Sequence, residues 1–450
     1  MRRLLSTLAC ALVAVVLTSA PGHAATSGQP DTRTPIKHLV VLMQDNHSFD
    51  SYFGTYPGAD GIPQGVCQRV NLVRPSTKGC VKPFRLGSTT PEDLSQGIGV
   101  QKRQYDGGKM DGFVAAYRRL GLEGTTAMGH YDGRDIPYYW NVASQYVLFD
   151  RFFSSTRVGS RESYLYWLTG TAPPSATPLT SNAGYDRLPT IFDRLAAKGV
   201  SAKFYVENLD ARSTSATATK VARPSQLVKV PLLSMRRFKD GGPLAGRVVD
   251  LSEYNRDLRS GQLPAVSYIV TGGASENPPT RVQVGQEMVR KLTSELIRSS
   301  AWSTSAFMWT YDGWGGWYDH VPPPRVDERG YGFRVPALLM SPYARRGHVD
   351  HTVMDYTSVL KFIESNWDVQ PLAARDAASA GLMSAFDFAA PPRPAAFVAT
   401  SYGPTAAAQP PVRASTVVYA TYGAALGLTG YVMLAALFGW RRPPYEGRHL

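Results

Sequence analysis

A hydroxyl, two carboxylates and a carboxamide stand where this chain could most readily build chemistry. Asp45 and Asn46 follow the apolar run Ile36–Met43. Asp312 follows the apolar run Ala306–Trp309, and Ser160 closes the small-residue loop Ser154–Ser160 ahead of a helix expected over Arg161–Thr169. A hydroxyl beside oxygen ligands is what metal-assisted phosphoryl transfer needs. A divalent metal ion lowers the hydroxyl's pKa, holds it in line and neutralises charge on the phosphate oxygens. Oxygen donors suit a hard divalent cation better than thiolate sites do. At a helix N-terminus, backbone N–H groups and the dipole favour an anion and stabilise a developing alkoxide. Plainer readings compete: Ser160 as an N-cap, and Asp312 as a cap of local backbone in a surface turn.

These residues need rigid elements to hold them. Ile36–Met43, Ala265–Val270, Ala306–Trp309 and Val335–Met340 are apolar runs of the length and density that strands buried on both faces require. Helical spacing falls between them, at Ile191–Lys198, Val284–Ser299 and Thr357–Asn366. The alternation predicts an α/β fold, a largely parallel central sheet with helices on both faces. In such sheets the crevice at the strand ends holds ligands. Three loops follow apolar runs in this way: Gln44–Ser48, Thr271–Pro278 with Glu276, and Asp312–Pro324 with Asp319 and His320. Glu207–Arg247 is polar and irregular and reads as a variable insert over the site.

The two ends carry membrane-type signals. Arg2 and Arg3, the apolar stretch Leu4–Leu17 and the small residues near Ala24 have the layout of a signal peptide over residues 1–25. No charged residue appears from Ala414 to Trp440, and Arg441 and Arg442 follow. That stretch is expected to form one C-terminal transmembrane helix, with a cytoplasmic tail over 441–450. A body over 34–388 and a Pro/Ala-rich linker over 389–413 lie between. The expected localisation is the cell membrane, single-span, with the body extracellular.

Cys67 and Cys80 remain once Cys10 leaves with the leader. In an exported domain they are expected to form a disulfide contributing about 3 kcal/mol through the unfolded state. With 48 Lys and Arg against 35 Asp and Glu the chain is basic. Those charges are scattered, which fits a solvated basic surface or attraction to anionic lipid and phosphate-bearing substrates. No zinc-finger, ribonucleoprotein or helix-turn-helix pattern occurs, so no nucleic-acid partner is expected. No obligate protein partner is evident either.

The longer motifs sharpen this reading. QDNHSFDSYFGTYPGADG, MGHYDGRDIPYYW, YVLFDRFFSSTRVGSRESYLYWLTGT, MWTYDGWGGWYDHVPPP and YGFRVPALLMSPYARRGHVDHTVMDYTSVLKFIESNW, spread over Ile36–Trp367, resemble the bacterial phosphoesterase family of phospholipases C and an acid phosphatase, related to the alkaline phosphatase superfamily. The resemblance implies a phosphoric ester hydrolase, with Ser160 at the family's nucleophile position and a divalent metal ion held by Asp45, Asn46, Asp312 and Ser160. It implies phospholipid or another phosphate ester as substrate. Asp319 and His320 match the family's YDHV segment, and His320 either meets a phosphate oxygen or leaving group or pins the Pro-rich exit loop. The chain departs from the family at three points: Asp45 replaces Glu, Gly313 replaces the second acid of a pair, and Asn277 stands where His is common. Water or Glu276 is expected to complete the metal shell. The alternative is a domain that binds phosphate-bearing envelope ligands without turnover.

Overall fold

The computed structural model describes residues 31–72, 79–87, 90–157, 159–173, 185–215 and 224–401. The stretch IKHLVVLM places Leu39, Val40, Leu42 and Met43 with no solvent exposure. Burying each such side chain stabilises the fold by roughly 1.5–3 kcal/mol. It forms β1 (His38–Gln44), the middle of an eight-stranded sheet. The other strands are β2 (Val147–Phe149), β3 (Ala202–Val206), β4 (Val248–Asp250), β5 (Val266–Val270), β6 (Ser305–Tyr311), β7 (Ala337–Met340) and β8 (His348–Asp350), in the spatial order β8-β2-β7-β6-β1-β5-β3-β4.

The sheet is mixed. β6, β1, β5, β3 and β4 run parallel, and β8 runs parallel to β2, but β7 is antiparallel to both its neighbours. The cause is the connection between β6 and β7, which contains no helix. A parallel return needs a crossover, usually helical; a chain that loops back without one pairs antiparallel.

Helices cover both faces. In register, Val41 pairs with Tyr268 and Leu42 with Trp309, so Tyr268 and Trp309 point to opposite sides. Tyr139 of α2 (Pro137–Gln145) lies 5.3 Å from Trp309. Trp167 of α3 (Ser160–Thr169) lies 4.5 Å from Tyr268 on the other side. Cys67 and Cys80 are bridged, beside the short antiparallel strands Gln68–Arg69 and Cys80–Val81.

The expected membrane span does not stand. Among the described residues no helix is long and apolar enough to cross a membrane. The helix Val282–Arg298 has 17 residues and carries Glu287, Arg290, Lys291 and Glu295, where a span needs roughly 20 predominantly apolar residues. The stretch 414–440 lies outside the described residues, as do 1–25 and 441–450. The fold class is therefore α/β with a mixed sheet, with no transmembrane helix among the described residues, and the expected single-span cell-membrane localisation is not supported. The described body through Val398 is one compact unit; of the second unit, Ala399–Leu450, only the first three residues are described.

Candidate active site

Strand register builds the site. Gln44 pairs with Tyr311 at the last rung of β1 and β6, and the Asp312 N–H donates to the Gln44 carbonyl at 2.9 Å. One residue further along each strand stand Asp45 and Asp312, side by side at the carboxyl edge of the sheet. Asn46 takes a left-handed φ of 62°. Its N–H donates to Asp312 Oδ1 at 3.1 Å and its Nδ2 to Asn277 Oδ1 at 3.0 Å. The buried Asn46 Oδ1 has no hydrogen-bond partner among the described residues.

Ser160 is the first residue of α3, and the cap position belongs to Gly159 at φ 51°. The N-cap reading of Ser160 is thus excluded. A Cβ on residue 159 would meet Glu162 Oε2 at 2.9 Å, and that φ already disfavours side chains, so glycine is needed there. The Ser160 side chain lies close enough to the Asp312 carboxylate to hold its pKa down. Burial pushes Asp312 up to about 7 and the Asp45 charge adds to this, while Ser160, Lys229 and the Asn46 N–H act the other way. Asp45, Asn46, Asp312 and Ser160 are therefore one cluster.

Two residues of that cluster's lining lie outside the sequence reading. Tyr164, one helical turn after Ser160, donates to Asp45 Oδ1 at 3.4 Å; its spacing from Ser160 is a legible signal. Lys229 ends a short helix, α4 (Pro224–Lys229), and its Nζ bonds Asp45 Oδ2 and the Thr271 carbonyl, the latter at 3.1 Å. Nothing in the local sequence marks it.

Glu276 does not join the cluster. Tyr311 and Asp312 are successive residues and point to opposite faces of the sheet, and Glu276 is on the Tyr311 side. Its fully buried carboxyl accepts from the hydroxyls of Tyr52, of Tyr139 at 2.5 Å and of Tyr311 at 2.8 Å. Burial pushes it up to about 7 against the lowering effect of the three hydroxyls. Because that value lies above the ordinary 4.5, the folded chain holds the extra proton between the two and stability falls as pH rises through that window. Glu276→Gln should flatten the wild-type loss, by up to about 3 kcal/mol. Urea unfolding at pH 5 and pH 8 measures the difference; equal slopes in both proteins would contradict it.

Asp319 and His320 belong to another cluster. Arg334, fully buried, donates from Nε to Asp319 Oδ1 at 2.9 Å and from Nη2 to Asp50 Oδ1 at 3.0 Å. His320 bonds Asp50 Oδ2 through Nδ1 at 2.8 Å and Asp60 Oδ1 through Nε2 at 3.2 Å. Burial acts to lower His320, yet its bond and charge contacts with Asp50 outweigh this and hold it above its ordinary value. With both ring nitrogens engaged, the imidazole ties the exit loop to the short helix Phe49–Phe53. Among the described residues Asp50, Asp319 and His320 form a group whose donor atoms are close enough to hold a metal ion. Arg334 already supplies positive charge there.

The cluster of Asp45, Asn46, Asp312 and Ser160 also has the chemistry to hold a divalent cation. It offers oxygen donors only, two adjacent buried carboxylates that repel each other, and an unpartnered buried carboxamide oxygen. Position 313 leaves space: a Cβ there would meet only Asn46 Oδ1, at 3.8 Å.

Comparison with known proteins finds relatives along most of the chain. The Phosphoesterase family model matches residues 36–370. The chain is 30% identical over 427 residues to phospholipase C B of Mycobacterium tuberculosis, covering 81% of this chain and 80% of that one. It is 28% identical over 421 residues to the non-hemolytic phospholipase C of Pseudomonas aeruginosa, covering 79% of this chain and 58% of that one. A Vibrio parahaemolyticus structure from the alkaline phosphatase superfamily aligns with 75% of this chain and 67% of its own at 12% identity and a TM-score of 0.39, a likeness too slight to carry an argument.

Proposed function

The chain belongs to the Phosphoesterase family and is a hydrolase of phosphoric ester bonds, and from that premise we propose that it cleaves phospholipid-type phosphodiesters with Ser160 as nucleophile. The observation that carries this is Ser160 at the start of α3 beside a buried carboxyl, Asp312, which burial and the Asp45 charge push up to about 7 and which accepts from the Asn46 N–H. A group with that value accepts a proton well at neutral pH.

Ser160 Oγ attacks phosphorus as its proton passes to Asp312. The P–O bond to the leaving alcohol breaks, its oxygen takes a proton from solvent, and a phosphoseryl ester remains. Water then attacks the same phosphorus, the P–Oγ bond breaks, and the phosphorylated headgroup leaves while Ser160 regains a proton. The α3 N-terminus opens at Ser160, where its dipole favours the negative charge of the phosphate oxygens. A divalent cation held by Asp45, Asn46, Asp312 and Ser160 would supply further charge to offset that of the phosphate oxygens.

The test is turnover of a phosphatidylcholine vesicle, bis(p-nitrophenyl) phosphate and p-nitrophenyl phosphate, with Mg²⁺, Mn²⁺, Ca²⁺ or Zn²⁺ added in turn. Diester cleavage exceeding monoester cleavage is expected; cleavage of the monoester alone would overturn the substrate class. Gly313→Asp should raise Mn²⁺ affinity by about tenfold, since an added carboxylate strengthens an oxygen site and the space for it exists. Calorimetric titration reads this, and an unchanged affinity would place the metal elsewhere.

A further inference from the structure

The cluster holds a positive charge of its own. Lys229 Nζ is bonded to Asp45 Oδ2 and reaches the Thr271 carbonyl at 3.1 Å and hydroxyl at 3.4 Å. Both partners are nearly buried, with side-chain exposures of 18% for Lys229 and 6% for Asp45. The contact is built from several sides. Asp45 leaves the end of β1, and Thr271 directly follows the parallel neighbour β5. The loop after Thr271 is fixed by Glu207, whose Oε2 accepts from the N–H groups of Gly272, Gly273 and Ala274 at 2.6–2.8 Å. The helix α4 that delivers Lys229 packs against α3, the helix that begins at Ser160.

We propose that Lys229 is a resident cation of the active site: its ammonium occupies the Asp45 carboxylate oxygen that a divalent metal would ligate, so metal and lysine compete for the site. Gly313 is the counterpart of this arrangement. With a carboxylate missing from residue 313, Asp45 and Asp312 are the only acids at these two strand ends, and the Lys229 ammonium offsets the charge of Asp45. A cation entering between Asp45, Asn46 and Asp312 must break the Lys229–Asp45 pair. The lysine then swings toward solvent, where its chain is already partly exposed. The competition rests on the metal ligands proposed above, and it is separable from catalysis because metal binding can be read without turnover.

The experiment is calorimetric titration of the full chain with Mn²⁺ in wild type, Lys229→Met and Lys229→Arg. Lys229→Met keeps the aliphatic stem and removes the charge, and it should bind Mn²⁺ at least about tenfold more tightly than wild type. That gain corresponds to about 1.4 kcal/mol. Lys229→Arg keeps the competing cation and should stay close to wild type. Mn²⁺ should also raise the melting temperature of Lys229→Met more than that of wild type, because ligand bound only to the folded state stabilises it. Equal or weaker Mn²⁺ binding by Lys229→Met would overturn the proposal.

A measurement on wild type keeps the test intact if Lys229→Met fails to fold. Saturating Mn²⁺ should accelerate acetylation of Lys229 by acetic N-hydroxysuccinimide ester, read by peptide mass spectrometry, because the displaced amine becomes accessible. Unchanged or slower labelling would overturn the proposal. Absent diester turnover with tightened metal binding in Lys229→Met would sink the catalytic reading and leave the competition standing.

Discussion

Ser160→Ala should lower diester turnover by about four orders of magnitude or more, while the unfolding midpoint stays within a few degrees of wild type. The first half follows from position: Ser160 opens α3 beside the Asp312 carboxyl, whose value it helps hold down. The second follows from position: Ser160 is a half-buried first-turn residue whose Oγ fills little core volume, and the cap geometry belongs to Gly159. One consequence works against stability and remains small. Asp312 loses one of the contacts that hold its value down, so its carboxyl should rise further, and the variant should be relatively more stable at pH 6 than at pH 8. Steady-state turnover and thermal unfolding, run together, separate catalysis from folding. Activity within tenfold of wild type would assign the nucleophile elsewhere.

Arg334→Met should cost about 3–5 kcal/mol of stability at neutral pH, because removing one partner of a buried ion cluster leaves the others uncompensated. Arg334 has no solvent exposure and holds Asp50 and Asp319 at 3.0 and 2.9 Å. Its Nη1 also donates to the carbonyls of Asp60 and Asp150, both at 2.8 Å, and its guanidinium lies 4.6 Å from the centre of the Phe49 ring. Burial pushes Asp319 up to about 6 even with Arg334 beside it, and losing that guanidinium raises it further. A carboxyl whose folded-state value lies above its unfolded one contributes stability that falls as pH rises. The deficit of Arg334→Met should therefore shrink from pH 7 to pH 5, where Asp319 takes a proton instead of standing charged and unpaired. Urea unfolding at the two pH values checks this. A loss below about 1 kcal/mol, or one independent of pH, would contradict the role given to Arg334.

What was legible in the sequence follows from how each residue is placed. Asp45, Asn46 and Asp312 immediately follow runs apolar enough to be strands buried on both faces, and Ser160 opens a helix, so local pattern alone locates each of them. The convergence of Asp45, Asn46 and Asp312 needed only that β1 and β6 be parallel neighbours, whereas that of Ser160 also needed α3 to pack against Asp45 through Tyr164. Glu276 misled because closeness in sequence to Asn277 says nothing of which face a side chain takes. The alternation that sends Tyr311 one way and Asp312 the other places it among tyrosine hydroxyls. His320 sits in a family motif, but Arg334, 14 residues further on, decides its surroundings. Lys229 was invisible because its neighbour Asp45 is 184 residues away and α4 lies in a stretch that reads as an irregular insert. The antiparallel turn of β7 hung on the missing crossover helix, which the Pro-rich loop after Asp312 does not announce. The charge-free stretch 414–440 reads as a span but lies outside the described residues, among which no helix is long and apolar enough to cross a membrane.

The central claim is a covalent ester on Ser160, and trapping it tests that claim most directly. Wild-type protein is mixed with excess bis(p-nitrophenyl) phosphate, quenched in acid during the first turnover, digested and analysed by tandem mass spectrometry. The account predicts a nitrophenylphosphoryl adduct on Ser160 that forms no more slowly than the second product and is absent from Ser160→Ala. Product formed with no adduct on any residue, or with the adduct on a residue other than Ser160, would contradict it.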